Sequence, residues 1–391
     1  MQIGFIDFSK EERNKVLATL KLLGVQTALD ELGVGSIRDA YSDILFPGIS
    51  TIQTRAKYFV LIPYLFEKAS KQKLSNGNEF HRWINDSEDK LVETLLRNSD
   101  DEETGIIGKN ALRQKRSVKM KPSSIYWNGL RTFEIVRSSG ISLSAACNVA
   151  WSEERKNDET DIKTDGETFD DDTAGHGNMV LFSPITAESD FVKTASIELT
   201  IKEAKFLESR ILNATMSKNT LLSYLLKNKM NCNSFDEIPT VDLPDIISED
   251  YQRAKSFADF IIGAHIRYNV IFSNYEDEDM IFEFNEWRTE FISKEFDLTN
   301  ILERIPCNYA TAKFCKDFSS AVHKNDTKAI DELIVAREKA VKGERAKLCK
   351  PKEYLYNYDR PVHFYRLDYR FRTAKTIIAD IIKGLEGYAN V

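Results

Sequence analysis

The fold signal is strongest in residues 30–66, which read DELGVGSIRDAYSDILFPGISTIQTRAKYFVLIPYLF. Ser36 is a suitable helix N-cap, because its side-chain oxygen can accept a hydrogen bond from a backbone N–H of the first turn. It is followed by apolar residues at helical spacing, namely Ile37, Ala40, Tyr41 and Ile44. Pro47 then interrupts the pattern. The first half of the stretch therefore predicts a short helix with one buried face.

The second half of this stretch predicts another helix. Ser50 and Gln53 have the spacing of a capping box, in which the two side chains satisfy each other's backbone N–H groups. We expect the helix to run from Thr51 to Leu61 or beyond, with an inward face of Ile52, Ala56, Phe59 and Phe66. A further helix is expected between Ser9 and Gly24, so the N-terminal part predicts a compact helical unit.

Helical patterns continue along the rest of the chain. Thr200 and Glu203 form another capping box, at the start of IKEAKFLESRIL. Apolar stripes of helical period lie in residues 80–97, 250–272, 308–323, 327–342 and 369–385. The opening IGFIDF has the pattern of a short strand. We therefore predict a mainly α protein, of the α+β class with few short strands.

An acidic segment divides the sequence. At 391 residues the chain exceeds what one hydrophobic core usually serves, so two domains are expected. Residues 152–172 contain ten acids and three bases, a composition that cannot bury a core. We predict an N-terminal helical domain at 1–150, an acidic flexible linker at 151–190 and a C-terminal helical domain at 191–391.

Composition argues against several classes of protein. The five cysteines are scattered and include no CxxC pair, which argues against a disulfide framework and a zinc ribbon. The longest apolar run, residues 58–66, is far shorter than the roughly 20 residues needed to span a bilayer. We expect a cytoplasmic protein with no membrane partner and no cofactor. The net charge of −7 confines any nucleic-acid site to a local basic surface.

Catalytic motifs are weak in this sequence. The segment GIIGKN at 105–110 lacks the spacing and the hydroxyl of a phosphate-binding loop. Each of the five histidines stands without a second His or Cys at metal-ligand spacing. The run Glu203-Ala204-Lys205 fits the short acid-x-Lys pattern of metal nucleases, but the capping box explains Glu203 better. No metal ligand is predicted, and the sequence favours a protein without catalytic activity.

Two segments combine cations with aromatic rings. Residues 109–121 contain six bases and no acid, and residues 354–372 interleave arginines with tyrosines and phenylalanines. Such combinations are typical of surfaces that hold phosphates and stack bases. A solvated loop and an edge strand packed on a core stay open as alternatives. The predicted nucleic-acid-binding residues are Arg113, Lys115, Arg116, Lys119, Lys121, Trp127, Arg366, Arg370 and Arg372.

A polar cluster is predicted within the opening stretch, formed by Arg38, Asp43, Arg55 and Lys57. If these charges are buried they must pair, which is usually a structural role. If they are exposed, Arg55 and Lys57 could hold phosphate. The structural interpretation is favoured, because Arg38 and Asp43 are well placed to neutralise their neighbours.

The sequence resembles a bacterial family of unknown function. Residues 4–9 and 30–59 are similar to the family motifs GWxDFS and DELGIGxIRDAFSDxLFPGxSTIQTRAxYF, with Phe5 and Tyr41 in place of Trp and Phe. The resemblance continues at 106–131, 198–226 and 366–381. The family has no established catalytic residues. Its members look like cytoplasmic proteins encoded beside helicases and phospholipase-D-type nucleases in defence gene clusters, which implies an accessory role.

One functional hypothesis and two alternatives follow from the residues and the resemblance. We expect an accessory, nonenzymatic component of a bacterial antiphage defence system that binds DNA and a helicase or nuclease subunit of that system. The first alternative is a protein–protein scaffold or a sensor of a phage component. The second alternative is a divergent metal-dependent nuclease.

Overall fold

The computed structural model describes residues 30–99, 105–114, 116–138, 140–161, 181–185, 191–240, 243–350, 361–362 and 365–387. Within these ranges the chain is mainly helical, and its β-type pairing is one isolated antiparallel bridge between Val136 and Phe182. The prediction of a mainly α protein is therefore confirmed for the described part of the chain. The predicted opening strand IGFIDF and the first predicted helix lie outside the described residues.

Fifteen α-helices are described, and two short 3₁₀ turns lie at Phe235–Glu237 and Gly343–Arg345. No helix in the described ranges is long and apolar enough to cross a membrane. In chain order the α-helices are α1 Gly35–Leu45, α2 Tyr58–Ser70, α3 Gly77–Arg97, α4 Lys109–Arg113, α5 Pro122–Thr132, α6 Leu143–Asp161, α7 Phe191–Thr194, α8 Ile201–Asn213, α9 Leu221–Lys227, α10 Asp245–Phe272, α11 Glu278–Ser293, α12 Leu298–Glu303, α13 Tyr309–His323, α14 Thr327–Lys342 and α15 Phe371–Glu386.

The chain divides into two compact units, each built from two separated pieces of sequence. Unit 1 contains the described residues of 1–39 and 255–367, and unit 2 contains those of 40–254 and 368–391. The acidic linker predicted at 151–190 falls within the sequence range of unit 2. Helix α6 runs through its first residues as far as Asp161, because Glu, Lys and Arg readily extend a helix that has already started. The predicted domain boundary stays a prediction, since residues 162–180 lie outside the described part.

Unit 2 is built around α2. This helix contains the run YFVLIPYLF, and all nine of these residues are buried. A helix that is apolar on every side must be surrounded by other elements, and α3, α5 and α6 pack against it. Elsewhere in unit 2, α8 packs against α15. Gly384 permits this approach, because a Cβ at that position would lie only 2.8 Å from the Cβ of Ala204.

The start of α2 differs from the prediction. The helix begins at Tyr58 rather than at Thr51, so the predicted capping box does not start it. The side chain of Gln53 accepts from the backbone N–H of Ser50 at 3.1 Å, as in a capping box, but it also donates to the carbonyl of Gly48 at 3.0 Å. These two bonds close a turn, and side chains distant in sequence satisfy the backbone groups that follow it.

Unit 1 contains the part of α10 from Lys255 onward together with α11 to α14. Its core includes a cluster of aromatic rings in which Phe260 contacts both Phe291 and Phe318. Residues 30–34 are held against α14, because the guanidinium of Arg337 donates to the carbonyl oxygens of Leu32 at 2.7 Å and Gly33 at 3.0 Å. The sequence stretch that carries the strongest fold signal therefore contributes residues to both units.

Candidate nucleic-acid interface

The basic loop, residues 109–121, consists of helix α4 and the segment that leads into α5. One carboxylate on α3 anchors its end, because Asp89 forms an ion pair with Lys121 at 2.6 Å and accepts a longer bond from the backbone N–H of Val118 at 3.4 Å. Gly108, with φ of +95°, starts α4, and a Cβ there would lie 2.5 Å from Val118. Asp89 therefore fixes the C-terminal end of the loop to α3, and α4 at the other end packs against the same helix.

Three cations of the basic loop face solvent. Arg113, Arg116 and Lys119 are exposed, and within the described ranges no carboxylate lies at ion-pair distance from them. Lys121 differs, because Asp89 neutralises it and its ammonium also donates to the carbonyl of Asn85 at 3.2 Å. The prediction for Lys115 lies outside the described residues. The basic loop thus offers three positive charges that the described part of the protein does not neutralise.

A buried carboxylate positions the helix that follows the basic loop. Glu88 on α3 accepts hydrogen bonds from the backbone N–H of Ser123 at 2.6 Å and from its hydroxyl at 3.1 Å, in the first turn of α5. Burial raises the pKa of Glu88 to about 7, and the two bonds from Ser123 oppose that rise. The apolar stripe predicted for residues 80–97 did not identify Glu88 as a buried residue. The available signal was that Glu88 falls on the apolar stripe, one turn from Ile84 and Leu91.

Trp127, which was predicted to bind nucleic acid, packs inside unit 2. The side chain of Trp127 is 6% exposed, its Nε1–H donates to the carbonyl of Ile141 at 3.0 Å, and its ring stacks on Phe66. Tyr126 is buried as well. A base needs an open ring face to stack upon, so these two residues act as core in this structure, as the alternative interpretation of the segment allowed.

The arginines of the C-terminal segment do not form one surface in either unit. Arg366 belongs to unit 1 and forms an ion pair with Asp259. Arg370 belongs to unit 2, where it pairs with Asp43 at 2.6 Å and donates to the carbonyl oxygen of Ile49 at 2.8 Å. Arg372 is exposed on α15. Of the three, Arg372 is the one that presents its charge to solvent without an ion pair among the described residues.

The predicted polar cluster separates into individual ion pairs. Arg38 pairs with its neighbour Asp39 at 3.1 Å, whereas Asp43 pairs with Arg370. Arg55 is buried, and its Nε lies 2.9 Å from the carboxylate of Asp380. Buried ion pairs of this kind fix how elements pack.

Lys57 is also used inside unit 2. It is 4% exposed, lies 2.7 Å from the carboxylate of Glu203 and donates to the carbonyl of Glu198 at 2.9 Å. Glu203 completes the capping box with Thr200 that the sequence predicts. The structural interpretation of Arg55 and Lys57 agrees with this burial, since neither cation can reach a phosphate without leaving its partner.

Metal ligands and buried thiols do not add a reactive group to the described residues. The described residues contain no group of three or more His, Cys, Asp or Glu side chains that could hold a metal ion. The thiols of Cys147 and Cys315 are buried, and burial raises the pKa of each to about 12, which keeps them protonated near neutral pH. Arg113, Arg116 and Lys119 of the basic loop are exposed, so an anionic ligand could reach them.

The sequence profile of one protein family, described as a family of unknown function, matches residues 1–279 of the chain. The chain belongs to this family, DUF6361. The residues matched to DUF6361 include α2, the basic loop and the Lys57–Glu203 pair, whereas Asp380 lies beyond them. No curated protein and no solved structure gives a significant match to the chain.

Proposed function

We propose that the protein binds nucleic acid through the basic loop and acts as an accessory, nonenzymatic component of a bacterial antiphage defence system. The observation that carries the binding proposal is the exposure of Arg113, Arg116 and Lys119 without a described acidic partner, on a loop that α3 holds in place. Most other cations named above are neutralised by carboxylates. The defence role and a helicase or nuclease partner rest on the resemblance of the sequence to proteins of defence gene clusters.

Phosphate contact is the chemistry that fits this loop. Each Lys or Arg that neutralises a phosphate releases bound counterions, so affinity falls with salt at a slope of about −0.9 per contact on duplex DNA. Three contacts from the loop predict a slope of about −3. Since Trp127 is buried and residues 109–121 contain no aromatic residue, we expect backbone contact without base stacking.

Fluorescence anisotropy with single- and double-stranded DNA across a salt series tests the proposal. The variant Arg113→Glu/Arg116→Glu/Lys119→Glu should bind at least about tenfold more weakly and lose most of the salt slope. Its matched control is Lys205→Glu/Lys218→Glu/Lys227→Glu, which reverses three exposed cations elsewhere in unit 2. An equal loss of affinity in both variants would show that net charge, and not the basic loop, causes the effect. The absence of DNA binding by the natural protein at low salt would refute the proposal.

The nonenzymatic part of the proposal has its own test. The same protein, incubated with plasmid and single-stranded DNA in the presence of Mg²⁺ or Mn²⁺, should leave both substrates intact on a gel. Metal-dependent cleavage that persists through a further purification step would instead support the divergent nuclease.

A further inference from the structure

Unit 1 contains an open groove that the basic loop does not involve. The groove has a volume of about 560 Å³ and lies between α11 and residues 255–266 of α10. Tyr365 and Arg366 close one side of it. Apolar side chains form much of its lining, namely Ile262, Ile266, Trp287 and Phe291. A groove of this size with an apolar lining is typical of a site that takes a ligand or a peptide segment.

The aromatic part of the lining is held rigidly. The indole N–H of Trp287 donates to the carbonyl of Asp259 at 2.7 Å, and the ring stacks on Phe291 with 5.1 Å between centroids. Gly263 lets the indole of Trp287 pack directly against α10, because a Cβ at that position would lie 2.1 Å from the ring. A lining that is already in place costs a partner little reordering when it binds.

The rim of the groove carries charges of both signs, with four acids and three bases in its lining, namely Asp259, Glu283, Glu286, Glu290, Lys255, Lys294 and Arg366. Helix α11 and the residues just before it carry seven acids and one base between residues 276 and 290. Glu290 pairs with Lys294, and Asp259 pairs with Arg366. Glu283 and Glu286 line the groove one helical turn apart, and no cation in the described residues lies at ion-pair distance from either of them. The rim therefore favours a cationic occupant.

Two large apolar side chains on α11 are exposed as well. Phe282 is 63% exposed and Ile292 is 42% exposed. At about 100° of rotation per residue, Phe282 lies near Glu286 on the groove side of α11, whereas Ile292 lies on the opposite side of the helix from the groove-lining Glu290. Helix-in-groove complexes bury exposed apolar anchors, such as Phe282 here, while charged residues set the orientation.

We infer that α11 and the groove beside it bind a cationic amphipathic helix of a protein partner. In this arrangement the apolar stripe of the partner helix covers Phe282 and the indole of Trp287, and its lysines or arginines meet Glu283 and Glu286. All residues of this surface belong to unit 1, whereas the basic loop belongs to unit 2.

A designed peptide of leucine and lysine, about 18 residues long with its leucines on one helical face, is a suitable probe. Titrated with the full-length protein at physiological salt and followed by anisotropy, it should bind. A peptide of the same composition with its residues scrambled, so that no face is apolar, should bind at least about tenfold more weakly. Equal binding of the two peptides would overturn the proposal, as would the absence of binding.

Variants of the protein locate the contact. Glu283→Lys/Glu286→Lys should weaken peptide binding about tenfold or more, and Phe282→Ser should weaken it several-fold. The matched control Glu303→Lys/Glu332→Lys reverses two exposed acids elsewhere in unit 1 and should leave peptide affinity within about twofold. An equal loss in the control would show that the peptide senses net charge and not the groove. DNA binding measured in the same variants should be unchanged, so that failure of this inference and failure of the basic-loop proposal can be told apart.

Discussion

The buried carboxyl of Glu88 makes the stability of unit 2 depend on pH. In the folded protein its pKa is about 7, against an ordinary value of 4.5, because burial disfavours the charged form. A carboxyl whose pKa is raised by folding stabilises the folded state at low pH, where it is neutral in both states. That contribution is lost as the pH rises from about 4.5 through about 7.

The substitution Glu88→Gln removes this titration and preserves the hydrogen bonds. The amide oxygen can accept from the backbone N–H of Ser123, and the amide nitrogen can donate to its hydroxyl. At about 1.4 kcal/mol per pKa unit, the rise from 4.5 to about 7 corresponds to about 3 kcal/mol. Relative to the natural protein, the variant should therefore gain about 3 kcal/mol of unfolding free energy between pH 4.5 and pH 8.

Urea unfolding followed by circular dichroism, at several pH values from 4.5 to 8, measures this difference. Glu93→Gln is the matched control, because Glu93 lies on the same helix but is exposed. The control should give a curve parallel to that of the natural protein, whereas Glu88→Gln should diverge from it above pH 5. Parallel curves for both variants would refute the assignment of a buried, neutral carboxyl at the start of α5.

Three further substitutions test packing and buried pairing, each by urea unfolding. Gly263→Ala should lower the free energy of unfolding by about 1–3 kcal/mol, because its Cβ would lie 2.1 Å from Trp287. An unchanged midpoint would show that the indole gives way freely. Arg55→Met should cost about 3–5 kcal/mol by leaving the carboxylate of Asp380 buried without its cation, and adding Asp380→Asn should recover part of the loss. Strictly additive losses would contradict the pairing. Tyr126→Phe should cost about 1–3 kcal/mol, because its hydroxyl accepts from two backbone N–H groups and donates to a carbonyl. Stability equal to that of the natural protein would argue that water replaces the hydroxyl.

The helices that local sequence specifies were predictable. Helix α1 lies between Gly35 and the break at Pro47, and α8 begins with the predicted capping box of Thr200 and Glu203. Helices α13 and α14 lie at the predicted residues within one position, because each combines an N-cap with an apolar stripe. Helix α11 was missed. Its apolar residues do not keep to one side, and the exposed Phe282 obscures the period.

Partners distant in sequence could not be predicted. Residues 50–57 contain a capping-box pattern and yet are not helical, because their backbone groups bond to side chains from elsewhere: the hydroxyl of Tyr126 accepts from Thr54, and Asp380 accepts from Ala56. Local spacing carries no information about such partners. The same limit applies to the basic loop, where Lys119 and Lys121 look alike in sequence and differ because Asp89 neutralises one of them.

The segment QTRAKYF shows why a distinctive sequence need not mark a binding site. Its two cations are buried, and their partners come from residues 203 and 380, so the segment connects three parts of unit 2 that are far apart in the chain. Because truncating one partner of a buried pair is costly, packing constrains such residues whether or not they bind a ligand. One of these partners, Asp380, lies outside the range matched to the family. A protein ending at residue 279 would therefore keep the family match and lose the Arg55–Asp380 pair. Packing within unit 2 accounts for this segment, which leaves the unpaired charges on the surface of each unit as the candidates for binding.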